Sequence, residues 1–264
     1  MKIRNRMPDV QEIRDHACQD FIKFFLCDNW QQELFTLTKK AIKNQRQKIR
    51  YIATYEKMCD IGIENYNAND MDMTIIYAIV DASRFNIFHS MKKMDKSTYK
   101  ALKSLKDDRN VNGHTTSNEE DDELYLRGLL ALCNLKNFIR TVHINEKSIT
   151  DEERLFYRQK YIPKIEKLKN ILDEERIELI QWKKQIDKDI QKIKESNNPS
   201  YAWLSTFDFY RDRCWKIDHD YEKYFYFIIQ ASNYGIEQSH SLAVSHFTNE
   251  KDYSEAERRL CLCQ

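Results

Sequence analysis

Apolar residues recur along this chain at intervals of three and four, the period of a helix that buries one face. Val10, Ile13, Ala17, Phe21, Phe24 and Phe25 predict a first helix over 9–28, broken at Asp28-Asn29. A second, longer helix is predicted over 30–60, with Leu34, Leu37, Ala41, Ile49, Ile52 and Tyr55 on one side. The polar stretch from Asn65 to Asp72 reads as a loop. The run from Met73 through Ile75, Ile76, Ile79, Val80, Phe85 and Phe88 is rich enough in β-branched residues for a strand, but its length and lack of turn residues favour a buried helix over 72–90. Asp95-Lys96-Ser97 starts the next helix, which carries Leu102 and Leu105. A leucine-rich helix follows over about 119–143, with Leu124, Leu126, Leu129, Leu130, Leu132, Leu135, Phe138 and Val142.

The pattern changes after the polar segment 145–152. Beyond Pro163, Ile165, Leu172, Leu179, Ile186 and Ile193 repeat every seventh residue, with Leu168 and Trp182 at the partner positions and Glu175 and Asp189 interrupting them. Such a heptad seam fits a coiled-coil-like helix or a long helix lying on its own protein, and the residues leave both open. Ser196-Asn197-Asn198-Pro199 ends it. Residues 200–234 are dense in aromatics, from Tyr201 and Trp203 to Phe227, as in a core or interface; stacking on bases is the alternative. The chain thus divides into a helical bundle over 1–150, a long amphipathic helix over 151–198 and a small helical region over 199–264.

Composition supports an all-α fold, with 4 Gly and 3 Pro among 264 residues and 32% charged residues. The net charge of +1 gives no global field for nucleic acid, so any such site must be a local basic patch. Lys39, Lys40, Lys43, Arg46, Lys48 and Arg50 line one face of the 30–60 helix, as a solvated face or an RNA-backbone contact. Seven cysteines without a CxxC pair read as reduced thiols of a cytoplasmic protein. No run approaches a membrane span, and neither leader-like residues nor a Gly-rich phosphate loop are seen. The seven His form no metal-binding pattern; His240 and His246 are poorly spaced for one helix face, and no metal or cofactor is expected.

The segment most suggestive of chemistry is Arg109-Asn110-Val111-Asn112-Gly113-His114. An arginine offers a fixed positive fork to a phosphate that gains charge in the transition state. A histidine can move a proton to or from a ribose hydroxyl or a leaving oxygen near neutral pH. Gly113 is suited to ending a helix, Thr115 to Asn118 offer caps, and the acidic run Glu119 to Glu123 suits the next helix's positive end. The bland alternative is a helix end whose Arg109 pairs with Asp107 or Asp108.

On Arg109, Asn110 and His114, with apolar helices before them and the leucine-rich helix after, residues 30–143 resemble the HEPN domain family of helical ribonucleases and nucleotide-binding modules. The resemblance implies a dimerising four- or five-helix bundle in which two Arg/His pairs share a cleft. It implies metal-free cleavage of RNA, with single-stranded RNA or tRNA as substrate, in a toxin or defence effector. Arg109 would neutralise the phosphate, His114 act as general acid or base, and Asn110 orient one of them. Active members carry an acidic and a basic residue upstream; Asp81 and Arg84 are the candidate supporting pair, at a spacing that departs from the usual one. The segment from Leu242 through Lys251-Asp252-Tyr253 to Leu260 resembles one tetratricopeptide hairpin, which needs a neighbour to cover its face. The alternative function is a non-catalytic HEPN scaffold that dimerises and binds a regulatory protein partner through residues 151–264.

Overall fold

The structure is a computed structural model that describes residues 2–43, 48–112, 121–218 and 220–261, with side chains at all of these except 2, 43, 48–50, 108–112, 121, 222, 260 and 261. Every regular element among them is helical, so the protein is all-α. The chain forms two compact units that divide inside one long helix, the first spanning Ile3–Asp173 and the second running from Glu174 onward.

In the first unit, α1 (Lys2–Lys23) begins earlier than the 9–28 pattern predicted and passes through Pro8. Ile3, Met7 and Val10 are all buried, so the apolar stripe extends N-terminally past the proline. The single helix expected over 30–60 is instead two, α2 (Trp30–Lys43) and α3 (Lys48–Ile61), packed against each other. Phe35 and Tyr55 stack across them with ring centroids 4.9 Å apart. Of the predicted basic face, Lys39 and Lys40 are exposed. Two short 3₁₀ turns, Ile63–Asn65 and Ala68–Asp70, fill the predicted loop.

Helix α4 (Met73–Arg84) is capped by Asp72, whose carboxylate accepts from Thr74 N and Ile75 N. It stops short of the expected residue 90: Asn86 takes a positive φ of 54° and leaves Phe85 67% and Ile87 59% exposed. The segment after it is tied back by Glu33 of α2, which accepts from His89 N and Ser90 N at 2.7 and 2.6 Å. An isolated bridge pairs Leu26 with Met91.

Helix α5 (Lys96–Asn112) starts where Asp95 predicts, with the Asp95 carboxylate accepting from Ser97 N at 2.7 Å. Leu102 and Leu105 are buried, and α5 packs along α6 (Asp121–Asn145). Most of the leucine stripe of α6 is buried, but Leu126 and Leu130 lie outside it, exposed. Gly128 lets α6 approach closely: a Cβ there would meet Leu172 at 3.2 Å and Met7 Sδ at 3.4 Å.

Helix α7 (Asp151–Glu195) occupies most of the 151–198 segment and runs through Pro163. A capping box begins it: Thr150 Oγ1 accepts from Glu153 N, and the Glu153 carboxylate accepts from Thr150 N at 2.7 Å. An interior proline costs a helix about 3 kcal/mol. Burial of Tyr157, Tyr161, Ile165 and Leu168 on both sides of Pro163 outweighs that cost. The rings of Phe21, Phe25, Phe138, Tyr157 and Tyr161 interlock in this core. The Tyr157 hydroxyl donates to Ala17 O at 2.9 Å.

Asp20 binds α1 to α7 by accepting from Lys160 at 2.5 Å and Tyr161 at 2.6 Å, and it also takes Lys23 at 2.8 Å. Partial burial alone would raise its carboxyl, but these donors outweigh burial and hold it well below the usual carboxylate range. A depressed folded-state pKa contributes stability that is present above the unfolded value, near 4, and is lost as pH falls toward the folded value. Asp20→Asn is therefore expected to cost about 1–3 kcal/mol at pH 7 and less at pH 2. Urea denaturation at the two pH values checks this; an equal cost at both would contradict it.

In the second unit, Ile186, Ile190 and Ile193 of α7 pack with Trp203 and Tyr210 of α8 (Pro199–Tyr210). The same core holds Cys214 of a π-helical segment (Arg211–Ile217), Tyr224, Phe227 and Ile228 of α9 (Tyr221–Asn233), and Ala243 of α10 (Glu237–Asn249). The heptad seam is thus covered by its own chain, at Ile165, Leu168 and Leu172 in the first unit and at Ile186 and Ile193 in the second. Asp189, which interrupts the heptad, accepts from the Tyr210 hydroxyl at 3.0 Å. Asn198 caps α8 with Pro199 in its first turn. The aromatics of 200–234 largely build this core.

Helices α10 and α11 (Tyr253–Cys261) form a hairpin whose turn holds Lys251 at φ 61°. Arg259, nearly fully buried, donates to Glu255 at 2.8 Å, Ser232 at 2.8 Å and Asn233 at 2.9 Å. No helix among the described residues is long and apolar enough to cross a membrane.

Candidate functional site

Arg109 and Asn110 belong to the C-terminal part of α5, but their side chains are not among those described. His114, with Gly113 and the acidic residues Glu119 and Glu120, lies outside the described residues.

Helix α4 packs against α5. Tyr77, Asp81 and Arg84 follow one another at helical spacings of four and three, so they share a face of α4. On α5, Tyr99 and Lys106 are two turns apart and share another. The Tyr99 hydroxyl donates to Asp81 Oδ1 at 2.9 Å. The Tyr77 and Tyr99 hydroxyls are 2.8 Å apart. A tyrosine has one hydroxyl hydrogen, and Tyr99 gives its own to the carboxylate, so Tyr77 donates to Tyr99. The chain of donation runs Tyr77 to Tyr99 to Asp81.

Two cations sit on these rings. The Arg84 guanidinium carbon is 3.8 Å from the Tyr99 ring centroid, and Lys106 Nζ is 4.1 Å from that of Tyr77. Both lie within the reach of a cation–π contact. Burial, the hydrogen bond with Tyr99 and the nearby carboxylates Asp81 and Asp107 push the Tyr77 hydroxyl far above its ordinary pKa, so it remains a neutral donor. Burial and Asp81 also raise Tyr51 of α3.

The structure therefore brings the predicted pair Asp81 and Arg84 together at Tyr99, and places Lys106 a turn before Arg109 and Asn110 on α5. The sequence reading missed Tyr77, Tyr99 and Lys106. Their signal was the shared spacing of Tyr77 with Asp81 and of Tyr99 with Lys106, legible only once α4 and α5 are known to be neighbours.

The other described histidines have structural or surface settings. His240 Nδ1 lies 2.8 Å from Ser232 Oγ, and His246 stacks on Phe225 with centroids 4.2 Å apart. Burial lowers the His246 pKa. Among the described residues no three His, Cys, Asp or Glu side chains gather in a way that could hold a metal ion.

No protein-family model, curated protein or solved structure matches this chain.

Proposed function

We propose that the chain is a metal-independent endoribonuclease of the HEPN kind. The observation that carries this reading is the spacing of Arg109, Asn110 and His114 in the sequence, which joins a phosphate-binding fork to a proton-transfer group. In this reading the ribose 2′-oxygen attacks the adjacent phosphorus and the bond to the 5′-oxygen breaks. Arg109 stabilises the charge gathered on the phosphate, and His114 moves a proton at the attacking or the leaving oxygen. Asn110 orients one of them. Asp81 and Arg84 support the site through Tyr99. Two copies of the chain would set two such pairs in one cleft, with tRNA or single-stranded RNA as substrate in a cytoplasmic toxin or defence effector.

The reading fixes the product ends. Fragments released in the presence of EDTA are expected to carry 2′,3′-cyclic phosphates and 5′-hydroxyls. Mass spectrometry of a cleaved oligonucleotide checks this; 5′-phosphates and 3′-hydroxyls would rule out attack by the 2′-oxygen.

A second reading, a non-catalytic scaffold that holds a protein partner through 151–264, draws on one observation. Tyr201, Leu204 and Phe209 of α8 and Ile217 of the π-helical segment are exposed apolar side chains. Exposed apolar groups close in sequence suit a partner surface. A dimer inert on RNA and captured by a specific protein through this face would favour the scaffold.

A further inference from the structure

We propose that Arg84 and Lys106 form a backbone-phosphate subsite for single-stranded RNA, held in place by the Tyr77–Tyr99 pair. The proposal rests on the ribonuclease reading for its substrate, and it assigns residues that the motif itself does not contain.

Among the described residues, the partner of each cation is a tyrosine face, and neither makes an ion pair with a carboxylate. A π face attracts a cation without using its N–H donors, so those donors remain for an anion. Arg84 is exposed and Lys106 half-buried, so an incoming strand can reach both.

Long cationic side chains lose rotamer entropy when they bind a phosphate. Here the rings that carry them are fixed: their centroids are 6.0 Å apart at 30°, their hydroxyls are bonded, and Tyr99 is anchored on Asp81. The direction of donation, from Tyr77 to Tyr99 to Asp81, gives Asp81 a role as the anchor of the rings, which makes it a positioning residue here.

Lys106 lies one helical turn before Arg109 on α5, so the subsite continues toward the proposed scissile phosphate. Cations interleaved with aromatic faces suit a nucleic-acid strand, whose phosphates repeat and whose bases stack, better than an acidic peptide.

The test uses the full-length His114→Ala protein, which holds RNA without cutting it, and a fluorescein-labelled single-stranded RNA. Binding is measured across a salt series by anisotropy, with thermal melts confirming that each variant folds. Adding Arg84→Gln and Lys106→Gln is expected to weaken binding about tenfold or more. It should also reduce the salt slope by about 1.4, since each single-strand phosphate contact contributes about 0.7. Tyr77→Phe keeps the ring but loses its hydrogen bond to Tyr99 and should bind somewhat more weakly than its parent, whereas Tyr77→Ala, which also removes the face under Lys106, should lose more. Unchanged affinity and slope in the Arg84/Lys106 variant would overturn the subsite, as would an absence of RNA binding by the parent. Retention of a polyglutamate peptide by the same two cations, in place of RNA, would overturn it as well. The two readings fail separately. RNA binding that depends on Arg84 and Lys106, in a chain whose wild type never cleaves, removes the nuclease and keeps the subsite. Cleavage by wild type with unaltered binding in the variant does the reverse.

Discussion

Replacing Phe227 with Ala is expected to destabilise the second unit by about 3–5 kcal/mol, the range for removing a buried aromatic ring. Phe227 is fully buried on α9, between Trp203 at 5.2 Å and 12° and Tyr210 at 4.5 Å and 18°. Its ring therefore joins α9 to both aromatic layers of α8. Removing it forfeits the burial of the ring, the stacking on two faces and the packing of a cavity lined by rigid rings that collapse poorly. Domain stabilities are about 5–15 kcal/mol, so a loss of this size consumes much of the margin. Phe227→Leu fills most of the volume and should recover a large part of it. Urea denaturation followed by tryptophan fluorescence measures the change, and a cost below about 1 kcal/mol for the Ala variant would contradict the stack.

Arg109→Ala and His114→Ala are expected to lower RNA cleavage by about a hundredfold to ten-thousandfold each. General acid–base catalysis contributes about 10²–10⁴ in rate. Removing one donor from a developing oxyanion costs about 10²–10³. The two groups act on one transition state, so the double variant should fall little below the worse single one. Arg109→Lys keeps the charge but loses the planar fork, so it should recover only part of the rate. Circular dichroism of each variant separates a lost reaction from a lost fold. Initial rates on a labelled single-stranded RNA provide the comparison, and a His114→Ala rate equal to wild type would exclude the proton-transfer role.

The helical class was legible because apolar residues at helical spacing, few glycines and clear caps all agree. Asp95 marks a helix start in sequence and in structure alike, whereas Asn198, read as part of a helix end, also caps the helix that follows. Boundaries failed where periodicity continues across a turn. The apolar phase of 30–60 gives no sign that Phe35 and Tyr55 face each other, since that contact depends on the chain reversing between them. At Phe85 and Ile87 hydrophobicity outlasts the helix, because Asn86 adopts the left-handed conformation there. At Pro163 local propensity opposes an interior proline, and burial of Tyr157 and Tyr161 before it and Ile165 after it keeps α7 continuous. The candidate site divides in the same way. Arg109, Asn110 and His114 form a local pattern that a sequence displays by itself. The links from Asp81 to Tyr99 and from Lys106 to Tyr77 join two helices, and no local pattern specifies them.

The central claim is metal-free RNA cleavage by the Arg109/His114 pair. Its most direct test is a time course of labelled single-stranded RNA and tRNA with purified wild type and the Arg109→Ala/His114→Ala double variant in EDTA. The account predicts cleavage by the wild type and none by the double variant. Equal cleavage by both, or cleavage by neither, would contradict it.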